Sequence, residues 1–155
     1  MRMNERMRTG LDQASPADFA EGEDLSPKLS RLLAEGFTDL HGAVVFAAMR
    51  ETGERVTPDN FPDLTGYECF VNHIHVDDQV DDSLSERELL KQGIAFALAT
   101  ERRLSSEFPS KPFKVIVAAN TSGCGARFHS VRPGEEWLAS NLEGYADEAI
   151  LVLDA

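Results

Sequence analysis

His73 and His75 stand one residue apart in the run YECFVNHIHVDD, residues 67–78, and Asp77 and Asp78 follow at once. Imidazole nitrogens and carboxylate oxygens are the usual ligand atoms of divalent transition metals, and a partly filled ligand set leaves room for an activated water. On an extended strand, same-face side chains sit about 6.6 Å apart, so two such imidazoles can reach one cation. Asp77 is one step further along that face and supplies a carboxylate if the strand bends. Cys69, two steps the other way from His73, is about 13 Å off and out of reach. An HxH pair alone is a weak signal, because histidines on a half-buried sheet face are often only hydrogen-bonded.

A second group of reactive types lies in NTSGCGARFH, residues 120–129. Its glycines and basic surroundings suit a nest of backbone N–H groups around an anion, and Arg127 is the candidate anion-binding side chain. Cys124 with His129 nearby in sequence raises a nucleophilic thiol. A strand segment separates the two, and no Asn or Asp is placed to orient the histidine. A hairpin turn with an incidental cysteine is the preferred reading. Asp77, Asp78, Asp81 and Asp82 resemble a calcium loop only superficially, since the DxDxDG order and the closing glutamate are absent.

These residues must be positioned by the elements around them. Residues 1–25 are polar, acidic and aperiodic, and read as a flexible arm. In SPKLSRLLAEG, Ser26 is a natural N-cap, Pro27 suits the first helical position and Gly36 the C-terminal cap. The apolar run from Ala43 to Met49 is ambiguous between strand and helix; the helix formers Ala47 to Glu51 favour a helical segment over 26–53. ECFVNHIHV reads as a strand. Ser85 and Glu88 form a capping box for a helix that Pro109 stops. FKVIVAA, NTSGCG and ARFHSVR spell strand, turn and strand; EEWLASNLEGY reads as a short helix, and EAILVLD as a final strand.

In order, residues 67–154 give β-α-β-β-α-β, the ferredoxin-like split unit of an α+β domain spanning 26–155. Its antiparallel sheet would place the first and third strands side by side at the centre, with helices near 86–108 and 135–143 on one face. Side-chain alternation then sends Phe70, Ile74 and Val76 to the core, and Cys69, Val71, His73, His75 and Asp77 to the opposite face, joined there by Arg127 and His129. The expected metal set is therefore His73, His75, His129 and Asp77.

The chain has 155 residues, a natural length for one domain, and a net charge of −12 from 27 acidic and 15 basic residues. Such a surface repels a phosphate backbone, so nucleic-acid binding is disfavoured. No apolar run suggests a membrane span, the N-terminus lacks the apolar core of a secretory signal, and two cysteines without CxxC spacing fit a cytoplasmic protein. The charge is segregated. Residues 77–88 carry six acids against Arg87, and residues 135–155 carry six acids and no base, whereas 110–134 hold four bases and no acid.

The preferred function is a non-catalytic module that engages a basic protein partner, as an immunity or antitoxin-type inhibitor would. Its partner face is expected at Asp77, Asp78, Asp81, Asp82 and Glu86, and it requires no cofactor. The alternative is a metal-dependent hydrolase in which a divalent transition metal sits on His73, His75 and His129, with Asp77 as ligand or base and Arg127 holding an anionic substrate.

Overall fold

A computed structural model describes residues 1–155. The chain begins with β1 (Arg2–Met3), α1 (Glu5–Gly10), α2 (Pro16–Phe19) and α3 (Pro27–Glu35), then a hairpin of β2 (Phe37–Leu40) and β3 (Ala43–Phe46). It continues through α4 (Arg50–Arg55), α5 (Leu64–Val71), β4 (Ile74–His75) and the long α6 (Glu86–Glu107). It closes with β5 (Phe113–Asn120), β6 (Gly123–Ser130) and β7 (Ala149–Asp154). The β2–β3 hairpin is a separate two-stranded sheet, and the other five strands form one antiparallel sheet ordered β1–β7–β5–β6–β4.

Alternation along the central strands builds two cores. Phe113, Val115 and Val117 of β5, Cys124, Ala126 and Phe128 of β6, and Leu151 and Leu153 of β7 pack under α6, which contributes Leu90, Ile94, Ala97 and Leu104. Ile116, Ile150 and Val152 point the other way and are covered by Leu142 from the 131–148 segment. Both faces of β7 are thus buried, which is why AILVL is continuously apolar rather than alternating. The α6 N-terminus has the expected capping box: Ser85 Oγ accepts from the Glu88 N–H at 3.3 Å, and the Glu88 carboxylate accepts from the Ser85 N–H at 2.8 Å. At Gly93 the helix meets the sheet so closely that a Cβ would lie 2.5 Å from the Cys124 sulfur.

The fold is α+β with antiparallel sheets, but the strand order is not that of the ferredoxin-like unit. Within 67–154 the first strand does pair with the third, through Ile74↔Ala126 and His75↔Gly125. It lies at the sheet edge, however, and β5 separates β6 from β7. No second crossover helix forms: residues 131–148 run as an irregular cover with one 3-10 turn at Leu142–Gly144. Pro133, Gly134 and Gly144 interrupt the helical pattern there, and the segment is held by what it covers.

The first part of the expected strand ECFVNHIHV, up to Val71, is α-helical and belongs to α5. Asp63 caps the helix by accepting from the Gly66 N–H at 2.7 Å, a cap hidden within a stretch that reads as loop. Two polar residues one turn apart then take the place of a neighbouring strand. Glu68 accepts from the Val44 N–H (2.8 Å), and Asn72 accepts from the Phe46 N–H (3.0 Å) while donating to the carbonyls of Val44 (2.9 Å) and Phe128 (3.2 Å). The α5 side chains therefore satisfy the open edge of β3 and tie it to β6. The helical segment favoured over 26–53 holds only in part: after α3 the chain forms β2, β3 and a 3-10 turn leading into α4. His41 and Gly42, both at positive φ (57° and 81°), make the hairpin turn, and all four β3 residues are buried.

The expected flexible arm is packed against the body. Arg2 and Met3 pair with Val152 and Leu151. Met7, Leu11 and Phe19 enter the main core. Asn4, 2% exposed, accepts from the N–H groups of Met7 and Ile150 and donates to the Glu148 carbonyl. Polar composition concealed these few anchors because their spacing follows no single helical or strand period.

Candidate functional site

The strand β4 fixes the histidines through their neighbours. Ile74 and Val76 are buried in the main core, which turns His73 and His75 to the opposite face, their rings 4.3 Å apart. Across β6, Gly125 leaves room for His73: a Cβ there would lie 2.6 Å from its Nε2. By extension of the β4–β6 register, Arg127 lies across from His73, and its Nη2 donates to His73 Nε2 at 2.9 Å. Burial, then the Arg127 guanidinium and His75, push the His73 pKa down to about 4, against the pull of Asp77. His73 is thus a neutral acceptor.

Arg127 is half-buried without a carboxylate in ion-pair contact. Its guanidinium lies 5.2 Å from the centre of the Trp137 ring, and burial lowers its pKa while Cys69 and Glu148 oppose that shift. Together with His73, Asp77, Ser122, Gly125 and Glu148 it lines a polar cleft of about 220 Å³. The expected anion-binding residue therefore faces a cleft, but two acids share its wall.

His129 does not join the other histidines. It is 4% exposed, two residues beyond Arg127, and its Nδ1 lies 2.9 Å from the Ser130 carbonyl. The expected His73–His75–His129 set is corrected on this point: β4 is too short to reach His129, and Arg127 stands in between. The His, Cys, Asp and Glu ligand atoms that do come together belong to His75, Asp77 and Asp78, all within 4.8 Å of one another. Of the expected set, His75 and Asp77 remain, and Asp78, expected in the partner face, joins them.

His129 lies instead near a buried ion pair that sequence reasoning missed. Glu68, fully buried, accepts at 2.9 Å from both terminal nitrogens of Arg132, and also from the Ser130 N–H and hydroxyl at 2.6 and 3.0 Å. Its four bonded partners, with the Val44 N–H, leave no lone pair for substrate, and this marks it as structural. A glutamate four residues before an asparagine within an otherwise apolar stretch was the available signal.

Neither cysteine is disposed for nucleophilic chemistry. Cys69 and Cys124 are free and buried, and burial raises both thiols, that of Cys124 to about 12 with Asp77 adding to the effect.

The expected partner residues form an exposed ribbon leading into α6. Asp78, Asp81, Asp82, Glu86 and Glu88 are exposed and Asp77 is half-buried. None of these six is in an ion pair, and Arg87, the only base within 77–88, is committed to Asp12. Lys28 donates to the Asp78 backbone carbonyl at 3.0 Å. No helix is long and apolar enough to cross a membrane.

The chain matches the uncharacterized protein PM0498 family over residues 2–155, and it belongs to that family. No curated protein and no solved structure matches it.

Proposed function

We propose that this protein is a non-catalytic binding module whose 77–88 ribbon engages a basic protein partner, in the manner of an immunity or antitoxin-type inhibitor. One observation carries the reading. None of the ribbon's six acids is in an ion pair, although Lys28 and Lys91 lie nearby, and the one base among them is spent elsewhere. Uncompensated like charge is unfavourable in the free protein and is relieved when a cationic surface docks, which also accelerates encounter. The ribbon is held in place by α3 and α6: Ser26 Oγ donates to the Gln79 carbonyl at 2.7 Å, and Gln92 accepts from the Ser26 N–H at 2.9 Å. Net charge of −12 disfavours nucleic acid as the partner, and two free buried thiols fit a reducing, cytoplasmic setting. A hydrolase centred on His73, His75 and His129 is the weaker reading, since those side chains do not converge.

The experiment compares the native chain with a triple charge reversal, D81K/D82K/E86K, as baits in the host lysate. A basic protein retained by the native bait and lost with the variant is the expected outcome. The association rate of that purified pair should fall steeply between low and physiological salt, while dissociation changes less. A partner captured equally by both baits, or associating independently of salt, refutes the ribbon as the docking surface.

A further inference from the structure

We infer that His75, Asp77 and Asp78 bind one divalent transition-metal cation, with water in the remaining coordination positions. The site shares Asp77 and Asp78 with the proposed partner ribbon and uses the bend that ends β4. On a straight strand Asp78 would point away from His75. Here Val76 is buried, and the chain turns at once into the 3-10 turn Asp77–Gln79. That turn brings one nitrogen and two carboxylate oxygens within 4.8 Å of one another. Ligands bonded to one cation at about 2.1 Å are separated by up to about 4.2 Å, so small side-chain rotations close the set.

The surrounding residues support these ligands. Asp77 Oδ1 accepts from the Cys124 N–H at 3.1 Å, which orients the carboxylate and leaves Oδ2 free. Gly123, at φ 150°, makes the room: a Cβ there would lie 2.7 Å from Asp77 Oδ1. Such outer contacts are what hold a metal ligand in its bonding orientation. His75 is available too. Hydrogen bonds of histidine side chains in this chain are confined to His73 and His129, and neither aspartate is spent on an ion pair. His73, beside His75, has its Nε2 occupied by Arg127 and stays outside the set.

One imidazole with two carboxylates selects a cation that accepts mixed nitrogen and oxygen ligands, such as Zn²⁺ or Mn²⁺, over the all-oxygen preference of Ca²⁺ and Mg²⁺. Equilibrium dialysis of the full chain against Zn²⁺ and Mn²⁺ tests this, with thermal melting as a second readout. One equivalent of at least one of the two metals should bind and raise Tm. Losing a merely supporting group costs about tenfold in affinity, so H75A, D77N and D78N should each cost at least that. Circular dichroism of each variant checks the fold, and D77N keeps an oxygen to accept from Cys124. H129A and the D81N/D82N pair should bind as the native chain does. Substoichiometric binding of both metals, native affinity in H75A, or an equal loss in D81N/D82N would overturn the site, the last by showing diffuse attraction to acidic surface. Equal competition by Ca²⁺ or Mg²⁺ would do the same. The partner reading is tested at Asp81, Asp82 and Glu86, which lie outside the ligand set, so the two readings fail separately.

Discussion

At the scale of single residues, burial decides which reactive types can react. His129 is enclosed, and desolvation lowers its pKa from the usual 6.5 although the Ser130 carbonyl and Glu68 pull the other way. The native histidine then holds fewer protons than the unfolded one as the pH falls below that value, so stability is lost in that direction. Urea unfolding of the metal-free protein between about pH 7 and pH 5 should show this slope, and H129Q should make it shallower. An unchanged slope in H129Q would place the acid sensitivity elsewhere. Glu68 yields a second expectation. E68A leaves Arg132 half-buried without its carboxylate and three further donors unpaired, which should cost about 3 kcal/mol or more. The double variant E68A/R132A should cost less than the sum of the two single changes, and additivity would show that the pair is not coupled.

At the scale of elements, packing between α6 and the sheet depends on one glycine opposite one cysteine. G93A should gain helix propensity yet lose stability, because its methyl would lie 2.5 Å from the Cys124 sulfur in a close-packed core. Overpacking of this kind costs about 1 to 3 kcal/mol, and C124A should relieve much of it in the double variant. A neutral G93A would mean that the helix and the Cys124 sulfur are not in this close contact. The same closeness shields the thiol: neither Cys124 nor Cys69 should react with a maleimide in the native protein, and both should react in denaturant. The capping box, by contrast, was visible from Ser85 and Glu88, because a cap is a local hydrogen-bond pattern that needs only three residues of spacing.

At the scale of the whole molecule, the N-terminal residues bear on stability in a way their composition conceals. Removing residues 1–25 deletes β1 and three side chains of the main core, Met7, Leu11 and Phe19. The truncated chain should unfold at clearly lower urea concentration, and limited proteolysis of the native chain should spare this segment; early cleavage within it would restore the flexible arm. Local signals in the sequence alone determined the α6 helix, the β5–β6 hairpin, the final strand and the acidic ribbon, since capping boxes, alternation and charge runs are written over a few residues. Only the tertiary structure decided the rest. Residues 64–71 became helix because Glu68 and Asn72 serve the edge of β3, a partner 24 to 26 residues away. Likewise His73 and His75 share a face as alternation requires, but which side chain meets them depends on strand register. Arg127 stands opposite His73, and the chain's bend delivers Asp78 to His75, because long-range pairing and a buried Val76 fix positions that no run of neighbouring residues specifies.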